Sequence, residues 1–366
     1  YSFCEKHMNK VILAPAGGKK TQTIIDMCCE DGTPKEILIL TYTTTGQKVI
    51  QDRLWKSKSV NNHIEVMGWF SFLLNHIIKP YINNLFPNQE VSGLHFVEGS
   101  DPVRFQTGSK RYFDTAGKVY SHNIGKLSLD ILYASEDECI ERLQGIYDEI
   151  FIDEVQDLAG NDLDIIELLF KSKIKVVAVG DVRQSIYSTS KADRKNKKYK
   201  GLNKILWFRD MESKNLCEIE ERTSTWRCNQ EIVNFADSVL PKDLEFPTTE
   251  SLQDLETEHD GVFVVSWENL QGYMNVYHPK CYRYRIDSKI LEGSEAINFG
   301  LCKGETVLRA LIYPTEPMKK FLKNPMLNLA DTSAAQFYVA VTRAVHSVAI
   351  VVEKPGEYTI KEWTPD

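Results

Sequence analysis

Short apolar runs punctuate the first half of the chain at residues 10–14, 37–42, 64–67, 148–153 and 174–180, with helix-patterned stretches between them. This alternation predicts βα units around a parallel sheet, with the chemistry on loops at the carboxyl ends of the strands. Between 75 and 145 the pattern weakens. Tyr81, Phe86, Phe96, Phe105, Tyr112 and Phe113 mix there with glycine and asparagine, which predicts a small inserted subdomain rather than more sheet. After about residue 205 a second alternation begins: an apolar run at 204–208, a helix at 229–240, strands at 261–266 and 306–313, a helix at 332–344 and a strand at 346–352. The expected fold is α/β with two parallel-sheet domains, 1–205 (insertion at about 75–145) and 206–366, the boundary falling near 203–215.

Two predicted strand ends carry chemistry. Ile150-Phe151-Ile152 runs into Asp153-Glu154-Val155-Gln156-Asp157, and carboxylates at the tip of a buried strand are where nucleotide-dependent motors hold Mg²⁺ and activate water. Val11-Ile12-Leu13 leads into Ala14-Pro15-Ala16-Gly17-Gly18-Lys19-Lys20-Thr21 and a helix start at Thr23 to Cys29. That order presents backbone N–H groups and a helix N-terminus to phosphates. Such a loop has glycine immediately before its Lys-Thr pair, whereas this chain has Lys19, so two registers are open. With Lys20-Thr21 as the working pair the spacing from Ala14 is right, and Lys19 takes a position that uses glycine's freedom at positive φ, at a cost of about 1–2 kcal/mol. With Gly18-Lys19 as the pair, Lys20 replaces the metal-binding hydroxyl. The first register keeps both cation and hydroxyl and is preferred. Loop and acidic strand end together predict a P-loop nucleotide site with Ala16, Gly17, Gly18, Lys19, Lys20 and Thr21 around the phosphates.

The 366 residues accommodate two domains with cores of their own, and 42% apolar with 26% charged residues is the balance of a soluble globular chain. No apolar run reaches 18 residues, so no membrane partner is expected. Eight scattered cysteines without a C-x-x-C pair fit reduced thiols in a cytoplasmic protein better than disulfides or zinc. The net charge of −7 does not advertise a nucleic-acid binder. Yet Lys191, Arg194, Lys195, Lys197, Lys198, Lys200 and Lys204 fall within 14 residues that hold one acid, as either a solvated loop or a local phosphate-contacting track.

Further segments stand in a telling order: Thr41-Tyr42-Thr43-Thr44-Thr45-Gly46-Gln47-Lys48 through Arg53-Leu54, then Trp69-Phe70-Ser71-Phe72, Gly180-Asp181-Val182-Arg183-Gln184-Ser185-Ile186-Tyr187, Thr225-Trp226-Arg227 with Ile232-Val233 and Ala236, Lys303-Gly304-Glu305-Thr306, and Tyr338-Val339-Ala340-Val341-Thr342-Arg343-Ala344. In that order they resemble motifs Ia, Ib, III, IV, V and VI of the UvrD/Rep-like branch of superfamily 1 helicases. The acidic segment, with its Gln156, resembles that branch's Walker B signature. Val182 stands where Pro is usual, and the usual His of motif Ib is replaced. The series runs from residue 14 to 344.

The resemblance implies two RecA-like motor domains that hydrolyse ATP with Mg²⁺ at the cleft between them. Carried over residue by residue, Lys20 would neutralise the β- and γ-phosphates, Thr21 and Asp153 would hold Mg²⁺, and Glu154 would orient and deprotonate the attacking water. Gln184 would sense the γ-phosphate and couple it to Tyr187. Arg227 and Arg343 would be the finger pair, and Trp226 would stack on adenine. For Tyr187 and Trp226 a core placement is the alternative. Thr306 stands where an acid usually meets the ribose, with Glu305 one place early. Thr41, Tyr42, Trp69, Phe70 and Tyr187 would contact the strand, where stacking contributes ~1–3 kcal/mol per base, although Trp69 and Phe70 fit a helix core equally well.

Only about 65 residues separate Val239 from Lys303, where full-size relatives carry a large inserted domain, so the chain reads as a compact version. Three functions remain open. One is an ATP-driven translocase or helicase on single-stranded DNA, moving 3′ to 5′ as the branch implies. Another is an ATP-gated effector that binds DNA ends or a partner such as a nuclease, with weak unwinding. The third is a superfamily 1 RNA helicase. Replication, repair, recombination and defence against mobile DNA all use such motors.

Overall fold

The computed structural model describes residues 8–30, 33–57, 62–97, 101–187, 189 and 195–365, so Lys191 and Arg194 of the basic stretch lie outside the described residues. The chain forms two compact units. The first takes the residues up to Leu13, Lys20–Gly180 and the stretch after Tyr187 to Glu220; the second takes Ala14–Lys19, Asp181–Tyr187 and the chain from Glu221 onward.

A six-stranded sheet organises the first unit, in the spatial order His63–Gly68, Glu36–Thr41, Glu149–Asp153, Lys175–Gly180, Lys10–Leu13, Glu218–Glu221. The first five are paired in parallel. They are the expected strands to within a few residues. Ile37 to Leu40 and Ile150 to Ile152 are buried without alternation, as a parallel sheet covered on both faces requires. On one face Ile12, Ile37, Ile39, Phe151, Val177 and Val179 pack with Ile24, Ile25 and Cys28 of the helix Lys20–Cys28. That packing fixes the first turn of the helix, with Lys20 and Thr21 on it. Glu149 opens its strand at 5% exposure, where Lys35 and Lys175 pair with it at 2.6 and 3.2 Å.

The stretch expected as an insertion carries the helices Ile124–Ala134 and Glu138–Gln144 and a separate ribbon of the short parallel strands Gly93–His95 and Lys118–Tyr120. Residues 204–208 do not open the second unit. They begin the helix Lys204–Ser213 of the first, burying Ile205, Trp207 and Phe208. A short apolar run looks the same in a buried strand and a buried helix, which is why the boundary expected near 203–215 falls at Glu221 instead.

The second unit is built on an all-parallel sheet ordered Ile297–Asn298, Lys280–Arg283, Val307–Ile312, Ala344–Val352, Gly261–Ser266, Lys361–Glu362. Both units are thus α/β domains built on parallel sheets, as expected. In the second, Val265, Leu270, Tyr273, Cys281, Leu311, Ala349 and Val351 share one core. Among the described residues the cysteines are free and no helix is long and apolar enough to cross a membrane.

Phe151 is fully buried at the centre of the first sheet. Phe151→Ala is expected to destabilise by about 3–5 kcal/mol, seen as a lower urea midpoint with an unchanged slope.

Candidate active site

In the first unit the acidic strand end meets the helix start. Asp153 is 5% exposed, and its Oδ2 accepts a hydrogen bond from Thr21 Oγ1 at 3.1 Å. The helix begins at Lys20, and Lys19 before it has φ 54°, the left-handed region that the Lys20-Thr21 register demands. Burial, and then the charge of Glu154, push the Asp153 carboxyl up to about 7, against the pull of the Thr21 hydroxyl and the Lys20 ammonium. Such a carboxyl gains from a cation, and a hydroxyl beside it completes a pair of hard oxygen donors. No cluster of three or more His, Cys, Asp or Glu able to hold a metal occurs among the described residues. One carboxylate and one hydroxyl is the sparse protein ligation that Mg²⁺ uses when phosphate oxygens and water fill the rest.

Glu154 itself is left-handed, at φ 54°. Its N–H donates to Asp153 Oδ1 at 3.0 Å, and its carboxylate accepts from Gln156 Nε2. The turn Val155–Asp157 is clamped by a residue that belongs, in the sequence, to the basic stretch. Lys204 is 2% exposed, and its ammonium donates to Gln156 O at 2.6 Å and to Leu158 O. Lys204 therefore cannot reach a nucleic-acid phosphate in this structure. Lys195 of the same stretch lies 3.4 Å from Asp164.

The loop Ala14–Lys19 packs within the second unit, on Thr225-Trp226-Arg227. Thr225 Oγ1 donates to Ala16 O at 2.6 Å, and Trp226 N–H donates to Gly17 O at 3.3 Å. Gly17 is required twice: its φ is 76°, and a Cβ there would stand 2.6 Å from Arg227 Cβ. Gly18 is buried behind it, its N–H donating to Pro15 O at 3.0 Å. The Lys19 ammonium sits 4.0 Å from the centre of the Trp226 ring, and Trp226 is 42% exposed, so it is not a core residue.

Arg343, 1% exposed, donates through Nε to Val339 O at 2.8 Å, through Nη1 to Glu305 O at 3.3 Å, and through Nη2 to Gln184 Oε1 at 3.0 Å and Thr342 Oγ1 at 3.2 Å. Arg227 Nη1 donates to Thr342 O at 3.1 Å. Burial, and then the Arg343 charge, hold Arg227 down at about 10. Two guanidiniums converging in this way are relieved by an anion. Thr306 is exposed in the loop before Val307–Ile312, while Glu305 accepts from the Tyr282 hydroxyl at 3.0 Å.

Of the strand-contacting candidates, Thr41 and Trp69 lie in the interior at 2% and 1% exposure, and Trp69 packs on Phe72. Tyr42 and Phe70 stay partly exposed, edge to face at 5.9 Å, and Phe70 continues to the exposed Phe96 at 6.3 Å. Phe96, absent from the sequence-based set, completes a short run of rings; nothing in its local sequence, Leu94-His95-Phe96-Val97, sets it apart. Tyr187 has Lys303 over its ring at 5.5 Å, and its hydroxyl donates to Gly300 O.

Comparison with known proteins bears on these residues. The model of the UvrD/REP helicase N-terminal domain matches residues 104–201. Gabija protein GajB from Bacillus cereus (strain VD045) is 26% identical over 291 residues, an alignment covering 71% of this chain and 57% of that protein. The solved arterivirus nonstructural protein 10 (helicase) aligns at 13% identity and a TM-score of 0.48, covering 96% of this chain and 62% of that one. Its complex with DNA aligns at 14% and 0.48, covering 94% and 61%. The chain thus spans less than two thirds of the length of these proteins.

A carboxyl whose pKa rises on folding leaves the folded state holding more protons than the unfolded one between 3.8 and about 7, so its contribution lowers stability as pH rises through that window. Metal-free Asp153→Asn is expected to melt above the unsubstituted protein at pH 8, with the gap closing toward pH 4; melting curves that stay parallel across pH would contradict this. Lys19→Gly removes a left-handed lysine and uncovers Trp226, so a fluorescent ATP analogue should bind at least as tightly. Binding weakened by about tenfold would show that Lys19, not Lys20, is the working cation.

Proposed function

We propose that this chain, which belongs to the UvrD-like superfamily 1 helicases, is an ATP-dependent translocase or helicase on single-stranded DNA, moving 3′ to 5′. The observation that carries the reading is complementary charge in two sets. Asp153 and Glu154, with Thr21 and Lys20, suit a metal, a water and the inner phosphates. Arg227 and Arg343, with Gln184, suit the oxygens of a transferring phosphoryl group.

In this mechanism Thr21 and Asp153 would hold Mg²⁺, which when bound would neutralise charge on the phosphates. Glu154 takes a proton from the water that attacks the γ-phosphorus, and Lys20 holds the departing β-phosphate charge. Arg227, and Arg343 on exchanging its contacts to Glu305 O and Gln184, fork onto the equatorial oxygens, where charge develops. Gln184 accepts from Arg343 and donates to Asp181, so a change in what Arg343 holds is passed to the segment that ends in Tyr187. Trp226, with an exposed ring, stacks on the adenine. Tyr42, Phe70 and Phe96 offer aromatic faces to successive bases.

A second reading, an ATP-gated effector that binds DNA ends or a partner protein such as a nuclease, is favoured by one observation. Between Val239 and Lys303 the chain forms Gly261–Ser266, Lys280–Arg283 and Ile297–Asn298, strands of the second sheet itself, rather than an accessory domain.

Steady-state ATP hydrolysis with and without single-stranded DNA separates the two. Stimulation by DNA is expected, absence of stimulation would pass the function to the effector, and stimulation by RNA alone would make it an RNA helicase. Glu154→Gln should lower turnover by ~10²–10⁴-fold while keeping ATP-dependent DNA binding.

A further inference from the structure

The segment Asp181–Tyr187 contains a buried cation that the proposed reaction leaves unused. Arg183 is 4% exposed, and a guanidinium this deep is tolerated only when its donors are matched. They are matched by the buried Tyr338 hydroxyl and by a stretch more than 60 residues downstream. Nη1 donates to Thr249 Oγ1 at 2.8 Å and Nη2 to Pro247 O at 2.8 Å, with Asp237 Oδ1 at 3.9 Å and the Phe246 ring 5.6 Å from the guanidinium carbon. Thr249 is held in turn, its N–H and hydroxyl both donating to the Asp237 carboxylate at 2.6 and 3.1 Å.

The backbone of Arg183 is tied at the other end. Its N–H donates to Asp181 Oδ1 at 3.2 Å, and Asp181 Oδ2 accepts from Gln184 Nε2 at 2.7 Å, while Gln184 Oε1 takes the Arg343 hydrogen bond at 3.0 Å. A continuous path therefore runs Asp237, Thr249, Arg183, Asp181, Gln184, Arg343, all of it inside the second unit.

We propose that Arg183 is a positioning residue: it docks the 181–187 turn on the 247–249 segment and so fixes the Gln184 amide with its carbonyl toward Arg343 and its NH₂ toward Asp181. An apolar side chain of similar length fills the volume but withdraws both donors, leaving Pro247 O and Thr249 Oγ1 without that partner. Lysine keeps the charge but cannot make the two-pronged contact. The inference rests on the proposed hydrolysis for its kinetic readout alone.

The test uses Arg183→Met, Arg183→Lys and Thr249→Val in the whole chain, with folding checked by thermal melting. In nucleotide-free protein, amides of 181–187 should exchange about tenfold faster in Arg183→Met and Thr249→Val, with the neighbouring strand Lys175–Gly180 unchanged. Turnover of ATP should fall by about tenfold or more while KM for ATP stays within about twofold, Arg183→Lys should recover part of it, and the double variant should be no worse than Arg183→Met because both act on one link. Unchanged exchange at 181–187, or a raised KM with turnover intact, overturns the inference. Absence of ATP hydrolysis in the unsubstituted protein sinks the proposed function instead, and the exchange data then decide the role of Arg183. If Arg183→Met does not fold, Thr249→Val carries the same comparison.

Discussion

Asp153 and Glu154 stand side by side at the end of a buried strand, and Arg227 and Arg343 converge on Thr342; each pair raises the energy of its own unit until a counter-charge arrives. The surrounding architecture is arranged to hold these pairs rather than to disperse them. The strand Glu149–Asp153 is buried along its whole length and keeps the carboxylate largely out of water, and Lys204 clamps the turn that follows. In the second unit the Arg343 donors are occupied by the carbonyls of Val339 and Glu305 and by Gln184. Relieved charge is what makes the proposed metal nucleotide a ligand and not a bystander.

Most of the strands were legible because a parallel strand buried on both faces must be a continuous apolar run, as Ile37 to Leu40 and Val348 to Val352 are. Lys280–Arg283 was not legible. Lys-Cys-Tyr-Arg has no such run, and only pairing with Val307–Ile312 and Ile297–Asn298 makes it a strand. The positive φ of Lys19 could be read from its place in the loop, since a lysine where glycine is expected has nowhere else to go. The burial of Lys204 could not, because a lysine inside a basic run carries no local sign that its ammonium caps carbonyls some 46 residues upstream. The same holds for Arg183: nothing near it in sequence announces Thr249. Polar partners that meet through tertiary folding leave no periodicity behind.

Gly17 and Lys19 show two answers to one backbone demand. Both adopt left-handed conformations, yet Gly17 has no alternative because Arg227 occupies the space a side chain would need, whereas Lys19 points outward to the Trp226 ring. A cation–π contact contributes about 0.5–1 kcal/mol at an exposed site, comparable to a good part of the strain it accompanies.

The two units do not divide at one joint. The chain passes from one to the other after Leu13, after Lys19, after Gly180, after Tyr187 and after Glu220. A single cut therefore cannot yield two self-sufficient modules. Any truncation near residue 205 or 220 strands the loop 14–19 and the segment 181–187 on the wrong fragment, and the second sheet would have to fold without the residues that Thr225 and Arg343 hold. The two units of such a chain are inherited together, so recombination or gene fusion can add domains to it more readily than it can exchange one half for another.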